Sequence, residues 1–455
     1  MRSISCGKKN LLLLFMLVAG QLMNAQTVVK KDFHNWAPTP PMGWNSWDCY
    51  GPNVTEAEVK ANADYMATNL KQYGWNYIVV DIRWYVANDK SHGYNEKDPQ
   101  FSIDSFGRFI PAVNRFPSSA GGKGFKPLAD YLHSKGLKLG IHIMRGIPVI
   151  AVKNRMPVLG TDQTAADIFS DSIQCKWLHD MYTVLAKKGA QEYYNSIVNL
   201  YASWGVDFIK CDDLSRPYHK AEIEMLRKAI DQCGRKILLS TSPGETPITE
   251  GKHVQGHANM WRTIDDFWDN WPELKAHFDI FARWNKYRAK GAYPDGDMLP
   301  LGHLGIKAER GVDRMSLFTK DEHYTVMTLW CIFKSPLMFG GDLPGNDAFT
   351  LSLLTNKEVL YILNHSTNNK QVFNAGNKIA WTADDPATGD KYIALFNAAD
   401  TAQTLDFSVL KELGIKGKYR LKNLWTGKQE KKTSPLLSVV VNPHGAVLYK
   451  ASKQK

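Results

Sequence analysis

The segment FIKCDD (208–213) is an apolar run that ends in charged side chains. Its first two residues suit a buried strand, whereas Lys210, Asp212 and Asp213 need polar partners. The same order recurs seven more times between residues 40 and 345, in the runs MGWNSW (42–47), YIVVDIRW (77–84), LKLGIHIM (137–144), ILLSTSP (237–243), MWRTIDD (260–266), MLPLGHL (298–304) and SPLMFGGDL (335–343). Segments with helical periodicity separate these runs.

This alternation of strands and helices predicts a parallel sheet, because each strand is followed by a helical crossover before the next one. Eight such strands favour a closed (β/α)8 TIM barrel, which we expect over residues 26–355. An open doubly wound sheet is the alternative, but that fold usually carries a glycine-rich phosphate loop after its first strand. The first run here is followed by DCYGPN (48–53) instead.

Residues 356–455 follow a different pattern, with short alternating runs between turns. The runs are KIAWTADD (378–385), KYIALFNAAD (391–400), GKYRLKNLWTG (417–427) and LLSVVVNPHGAVLYK (436–450). Strict alternation is typical of strands with one buried face, and so this part predicts a small antiparallel β-sandwich domain. The polar segment NHSTNNK (364–370) suits a linker in front of it.

Residues 1–25 have the three parts of a secretory signal peptide. A basic head precedes the apolar stretch LLLLFMLVAG (11–20), and the small residue Ala25 precedes the predicted cleavage point. The apolar stretch is too short to span a bilayer. Met23 stands where a small residue is usual, which leaves an N-terminal membrane anchor open as the alternative. We expect an exported protein, periplasmic or secreted, with no membrane span in its mature chain.

The composition bounds the class of partner. The 455 residues are 44% apolar and 11% aromatic, enough for one large core and a smaller one. The formal net charge is +11, but the densest basic segments, 411–422 and 428–432, hold a single aromatic residue, Tyr419, and no recognisable nucleic-acid module. We therefore expect no nucleic-acid partner. The five cysteines after residue 25 are an odd number without metal-ligand spacing.

Polar residues at the carboxyl ends of barrel strands converge on one opening. The sequence places several carboxylates, two cations and an aromatic ring there, namely Trp47, Asp81, Lys210, Asp212, Arg262, Asp265, Asp266 and Asp297. Such groups bind sugar hydroxyls, and an aromatic ring packs against the apolar face of a pyranose. The pattern predicts a carbohydrate substrate.

Two of these carboxylates have surroundings suited to opposite roles in glycoside hydrolysis. Retaining enzymes hold one ionised carboxylate and one carboxylic acid roughly 5–5.5 Å apart. Lys210 lies two residues before Asp212, on the same side of the strand, and favours its ionised form. Asp265 adds a like charge beside Asp266, which favours the protonated acid.

Four segments resemble the signature segments of glycoside hydrolase family 27, the α-galactosidase family. They are PPMGWNSWDCY (40–50), WGVDFIKCDD (204–213), ANMWRTIDDFWDNW (258–271) and GDMLPLGHLG (296–305). Segments 424–428 and 439–449 are similar to the β-domain of the family, so that the resemblance covers nearly all of residues 38–450.

The resemblance implies a retaining double displacement in which Asp212 is the nucleophile and Asp266 is the acid/base. No cofactor or metal is expected. Further residues are assigned to substrate binding, and they are Trp47, Asp81, Ile82, His142, Lys210, Arg262 and Asp297.

The chain departs from the family pattern near the expected site. Ile82 stands where a second aspartate usually follows the first, His142 where a tyrosine is usual and Ser242 where a glutamate is usual, and a cysteine expected after the third strand is missing. β-L-Arabinopyranose is α-D-galactopyranose without the exocyclic hydroxymethyl group, whose hydroxyl Ile82 would leave unpaired. The VDIxW pattern (80–84) is similar to the branch of the family that includes β-L-arabinopyranosidases.

We therefore expect an exo-acting hydrolase that removes terminal α-D-galactosyl or β-L-arabinopyranosyl residues from plant-type oligo- and polysaccharides. A metal-dependent barrel hydrolase is one alternative, since Asp81, Asp212 and Asp297 could ligate a divalent cation, although Lys210 would repel it. A non-catalytic sugar-binding protein would be expected to lack one of the two carboxylates. Another α-glycosidase specificity and an oligomer also stay open.

Overall fold

The computed structural model describes residues 32–454. The predicted signal peptide lies outside the described residues and stays a prediction. Among the described residues, no helix combines the length and the apolar character needed to cross a membrane.

Eight strands form one parallel sheet that builds the barrel. They are β1 Met42–Asn45, β2 Tyr77–Val80, β3 Lys138–Met144, β4 Phe208–Asp212, β5 Leu238–Thr241, β6 Met260–Arg262, β7 Tyr293–Asp295 and β8 Leu337–Phe339. Their order in the sheet is β8-β1-β2-β3-β4-β5-β6-β7, and every neighbouring pair is parallel. Just beyond β7, Leu299 forms a parallel bridge with Phe339 of β8 and completes the ring. The predicted (β/α)8 barrel is confirmed.

Helices lie between successive strands and after the last one. The main ones are α1 Glu56–Tyr65, α2 Lys126–Ser134, α3 Ala190–Ser203, α4 Lys220–Gln232, α5 Gly251–Gln255, α6 Trp271–Trp284, α7 Lys320–Phe333, α8 Ala348–Leu354 and α9 Lys357–His365. The start of α1 is a capping box in which Thr55 and Glu58 satisfy each other's backbone N–H groups.

Short elements complete the connections of the barrel. The short helical turns are Phe33–Trp36, Trp47–Tyr50, Gly51–Asn53, Met66–Leu70, Lys71–Tyr73, Pro117–Ser119, Val149–Lys153, Ala165–Ile168, Ile248–Glu250 and Asn285–Tyr287. The short strands are Ile147–Pro148, Phe169–Ser170, Met181–Val184, His303–Leu304 and Arg314–Met315.

The seventh strand lies before the run predicted for it. In the run 298–304, Leu299 makes a single parallel bridge, and His303–Leu304 pairs antiparallel with Arg314–Met315. Asp297 has a φ of 82°, a left-handed conformation that cannot continue a strand, and Pro300 has no N–H for a ladder. The predicted position of this strand was wrong, and Asp297 instead follows the end of β7.

The C-terminal part contains a six-stranded antiparallel sheet and a two-stranded one. The strands are β9 Thr367–Ala375, β10 Lys378–Asp384, β11 Lys391–Asn397, β12 Gln403–Ser408, β13 Tyr419–Asn423, β14 Gln429–Lys432, β15 Leu436–Val441 and β16 Ala446–Lys453, with the short helix α10 Val409–Leu413 after β12. The order in the larger sheet is β9-β10-β11-β16-β13-β14, and β12 pairs with β15. The predicted antiparallel sandwich is confirmed, but the segment expected as a linker already enters β9.

Strand β10 supplies side chains to two separate cores. Ile379, Trp381 and Ala383 belong to the large cluster that includes the barrel, whereas Ala380 belongs to the small cluster inside the sandwich. Successive side chains of a strand point to opposite faces, and so one face of the larger sheet packs toward the barrel side and the other toward the two-stranded sheet. Helix α7 contacts this sheet from the barrel side.

Candidate active site

The carboxyl ends of the barrel strands surround a cavity of about 510 Å³. A sugar ring fits a cavity of this size, which lies in the range usual for ligand sites. Most of the predicted site residues line it, namely Trp47, Asp81, Ile82, Lys210, Asp212, Arg262 and Asp266. The structure thus brings together residues from β1, β2, β4 and β6 and their connections.

Asp212 is the last residue of β4 and is held on both of its carboxylate oxygens. His142 Nε2 lies 2.9 Å from Oδ2, and the Ser242 hydroxyl donates to Oδ1 at 2.8 Å. Burial alone would raise the pKa of Asp212, but the hydrogen bonds from His142 and Ser242 and the charge of Lys210 hold that pKa below its usual range. The carboxylate is therefore ionised and fixed in position.

Lys210 binds Asp81 on the neighbouring part of the wall. Its Nζ lies 2.9 Å from Asp81 Oδ2, which also accepts from Asn45 Nδ2 at 2.7 Å, while the Ile82 N–H donates to Oδ1. Burial disfavours the ammonium group, but the charges of Asp81 and Asp212 hold the pKa of Lys210 above its usual range. A positive charge therefore stands between two carboxylates, which disfavours a cation at this place.

Arg262 forms ion pairs with Asp266, the predicted acid/base, and with the buried carboxylate of Asp297. Its Nη1 lies 2.7 Å from Asp297 Oδ1, and its Nη2 lies 3.2 Å from Asp266 Oδ1. The side chain of Asp266 is 42% exposed, whereas that of Asp212 is 8% exposed. Asp266 is thus the acidic group that solvent and a leaving group can reach.

Two residues assigned to substrate binding do not reach the cavity wall. His142 is fully buried and contacts Asp212. Asp297 is buried too, where it binds Arg262 and accepts from the Phe267 N–H at 2.8 Å. Neither side chain is among the residues that line the cavity. Each instead contacts a residue that does line it, Asp212 for His142 and Arg262 for Asp297.

The cavity has an aromatic wall that the sequence predicted only in part. Trp47 stacks on Tyr94 with ring centroids 5.9 Å apart, and Tyr94 in turn contacts Trp177 at 6.3 Å. All three line the cavity. Tyr94 and Trp177 lie in the long connections after β2 and β3, where no periodicity marks them as site residues.

Charged residues at the cavity rim were also missed. Arg216, from the connection after β4, forms an exposed ion pair with Asp265, and Glu309 and Arg310 line the same cavity. The carboxylate of Asp265, expected to add a like charge beside Asp266, is thus paired with the positive charge of Arg216.

A buried acid lies beneath the site. Burial, and then the charge of Asp297, raise the pKa of Asp295 to about 7. Its Oδ1 accepts from the Asp297 N–H at 3.0 Å. Asp295 ends β7, the strand that the sequence pattern placed too late, and for that reason it was missed.

Comparison with known families agrees with this geometry. A family model described as "Alpha galactosidase A" matches residues 39–153 and 151–365, and one described as "Alpha galactosidase C-terminal beta sandwich domain" matches residues 375–451. The chain belongs to glycoside hydrolase family 27. Its membership confirms the resemblance read from the sequence motifs.

Several curated relatives of this family 27 chain are α-galactosidases. Alpha-galactosidase 2 of Arabidopsis thaliana is 27% identical over 429 residues, covering 92% of this chain and 91% of the relative. Alpha-galactosidase A of Cellvibrio japonicus is 28% identical over 476 residues, covering 98% and 99%.

Some solved structures are more similar in sequence. A family 27 β-L-arabinopyranosidase from Geobacillus stearothermophilus is 49% identical with a TM-score of 0.90, covering 92% of this chain and 98% of that one. A variant of that arabinopyranosidase in complex with arabinose is 48% identical with a TM-score of 0.91, covering 93% and 99%. This family 27 chain is therefore a glycoside hydrolase of the α-galactosidase or arabinopyranosidase type.

Proposed function

We propose that this enzyme removes terminal β-L-arabinopyranosyl residues from plant-type oligo- and polysaccharides, and α-D-galactosyl residues less readily. The observation that carries the proposal is the position of Ile82, an apolar residue in the cavity wall directly after the sugar-binding candidate Asp81. The 49% identity to an arabinopyranosidase, against 27–28% for the α-galactosidases above, supports the same preference. A polysaccharide substrate also agrees with the export that the first 25 residues predict.

In the proposed mechanism, Asp212 attacks the anomeric carbon while Asp266 protonates the departing glycosidic oxygen. The bond to the leaving group breaks as a glycosyl ester with Asp212 forms. Asp266, now ionised, then takes a proton from water, whose oxygen displaces Asp212 and releases the sugar with its anomeric configuration retained. The low pKa of Asp212 and the exposure of Asp266 suit these two roles.

Chemical rescue tests the two roles. We expect Asp266→Ala to lose roughly 10²- to 10⁴-fold in kcat/KM on a natural glycoside, because general acid catalysis is removed, and Asp212→Ala to lose more. With an activated aryl glycoside, azide should restore turnover in both variants. Nuclear magnetic resonance of the products then assigns each residue, since the nucleophile variant gives a glycosyl azide of inverted configuration and the acid/base variant one of retained configuration.

Asp265→Asn is the matched control, because it neutralises the neighbouring carboxylate that pairs with Arg216. It should lose far less activity than Asp266→Asn. A glycosyl azide of retained configuration from Asp212→Ala, or an Asp265→Asn variant as impaired as Asp266→Asn, contradicts the assignment.

Substitution of Ile82 tests the sugar preference. Galactose carries a hydroxymethyl group whose hydroxyl has no partner beside an isoleucine, at a cost of about 1–3 kcal/mol, or roughly 5- to 150-fold. We expect Ile82→Asp to raise the ratio of kcat/KM for nitrophenyl α-D-galactopyranoside over nitrophenyl β-L-arabinopyranoside by that factor. Ile82→Val keeps the wall apolar and should leave the ratio nearly unchanged. Equal ratios for wild type and Ile82→Asp remove Ile82 from the argument.

A further inference from the structure

Two histidines and a glutamate lie together where α4 and the end of α5 meet. One candidate ligand atom from each of Glu224, His253 and His257 lies within 4.8 Å of the other two. Within residues 32–454, this is the one group of three or more histidine, cysteine or acidic side chains that meets so closely. We propose that these three residues bind a divalent transition-metal ion of the Zn²⁺ type.

The local fold presents both imidazoles on one side. His253 lies on α5, and His257 follows it by four residues, which is the spacing that places two side chains on the same face of a helical turn. Their rings stack with centroids 4.1 Å apart and an interplanar angle of 23°. Glu224, on α4, reaches them from the neighbouring helix, and its Oε1 lies 3.1 Å from His253 Nε2.

The hydrogen bonds of the two rings leave Nε2 as the ligand atom that each histidine can offer. His257 Nδ1 lies 2.7 Å from the carbonyl oxygen of His253 and must donate to it, because a carbonyl only accepts. The other nitrogen of a neutral His257, Nε2, then carries a lone pair. His253 Nδ1 contacts the Tyr218 hydroxyl at 2.6 Å, and its Nε2 donates to Glu224 Oε1 at 3.1 Å. A metal ion bound between them would take the place of that proton. Outer contacts of this kind orient ligating histidines in metal sites.

The ligand types select the class of metal. Two imidazoles and one carboxylate suit Zn²⁺ and similar ions, whereas Mg²⁺ and Ca²⁺ prefer oxygen ligands alone. Ligand atoms around a tetrahedral Zn²⁺ lie about 3.3 Å apart, given bond lengths of about 2.0–2.1 Å. The candidate ligand atoms here lie within 4.8 Å of one another, and so they must come closer to bind one ion. The side chain of Glu224 is 49% exposed and is free to move toward the two histidines.

The proposed metal site is separate from the sugar cavity, because none of its three residues lines that cavity. A bound ion would link α4, through Glu224, to α5, through His253. Tyr218, the outer contact of His253, follows the cavity residue Arg216 by two positions in the connection after β4. A bound ion is therefore expected to stabilise the fold on this side of the barrel.

Isothermal titration of the full-length protein, first treated with EDTA and then dialysed, tests the proposal. With ZnCl₂ we expect one ion per chain and an increase in the thermal unfolding midpoint, and with MgCl₂ neither. The double variant His253→Ala/His257→Ala should lose both effects. Glu224→Gln should weaken Zn²⁺ binding by at least the roughly 10- to 100-fold that loss of an outer contact costs.

His179→Ala is the matched control, because His179 pairs with Glu96 at 3.0 Å but belongs to no group of three among the described residues. It should bind Zn²⁺ like the wild type. Circular dichroism and hydrolysis of an aryl glycoside verify that each variant is folded. Absence of Zn²⁺ binding in the wild type, full binding in the folded double variant, or loss of binding in His179→Ala would each overturn the proposal.

Discussion

Asp212 is held by two residues at which this chain departs from the family pattern. His142 and Ser242 stand where a tyrosine and a glutamate are usual, and both contact the Asp212 carboxylate. The sequence marked the two positions as unusual, but it could not show that they share a partner. They lie on β3 and directly after β5, the two neighbours of β4, and the parallel register brings all three together.

The pH dependence of activity should report the contact from His142. The hydrogen bond to a carboxylate is worth about 1.5–3 kcal/mol, and 1.36 kcal/mol corresponds to one pKa unit. Removal of the donor in His142→Phe should raise the pKa of Asp212, which must be ionised to act. The acid limb of the kcat/KM profile should therefore move to higher pH by roughly one to two units.

A histidine–aspartate pair elsewhere in the barrel provides the control. His133 Nε2 lies 2.8 Å from Asp207 Oδ2, before the start of β4 and away from the cavity. His133→Phe should leave the acid limb in place, and Ser242→Ala should move it in the same direction as His142→Phe. An acid limb unmoved in His142→Phe would show that this histidine does not hold Asp212 in its ionised form.

Residues at strand ends could be predicted from the sequence, and residues in long connections could not. Asp81, Lys210, Asp212 and Arg262 each terminate an apolar run, and the barrel rule places such residues at one opening. Tyr94 and Trp177 line the same opening but lie among irregular segments. A tryptophan there is more often a core residue, and only the folded chain shows which face of the ring is exposed.

At the scale of the element, the sequence predicted most barrel strands because both faces of a barrel strand are buried. Such strands are continuous apolar runs rather than alternating ones. The exception is β7, which spans only Tyr293–Asp295. The longer apolar run, 298–304, comes after this strand. The turn at Asp297 is a backbone feature of a non-glycine residue, for which the sequence gives no signal.

At the scale of the whole molecule, several side chains join the barrel to the C-terminal sandwich. Trp271, at the start of α6, stacks on His444 with centroids 3.8 Å apart and rings within 7° of parallel. His444 Nδ1 also lies 2.8 Å from Glu322 of α7, and its Nε2 lies 2.9 Å from Asp400. One side chain of the sandwich thus contacts two helices of the barrel.

Loss of this contact should lower the stability of the whole chain without affecting catalysis. An aromatic pair contributes about 0.5–1.5 kcal/mol, and a hydrogen bond to a charged group contributes a similar amount or more. We expect His444→Ala to reduce the free energy of unfolding by about 2 kcal/mol, measured by denaturant titration. The kcat/KM should stay at the wild-type value, because His444 does not line the cavity.

His365 offers a comparison, since its ring contacts Tyr361 of its own helix α9 at a centroid distance of 4.5 Å rather than another part of the chain. His365→Ala should cost less than His444→Ala. Equal stability of His444→Ala and the wild type would show that the stack on Trp271 adds nothing to the attachment of the sandwich.

The side chains of β10 have a consequence for protein engineering. A shift of this strand by a single position would exchange Trp381 with its small neighbour Ala380, and both hydrophobic interiors would be filled wrongly at once. Grafting the sandwich onto a different catalytic scaffold therefore requires a recipient surface that accepts Ile379, Trp381 and Ala383 in their present order. Recombination of such parts is expected to succeed only when the crossover point keeps α7 and β10 from the same parent.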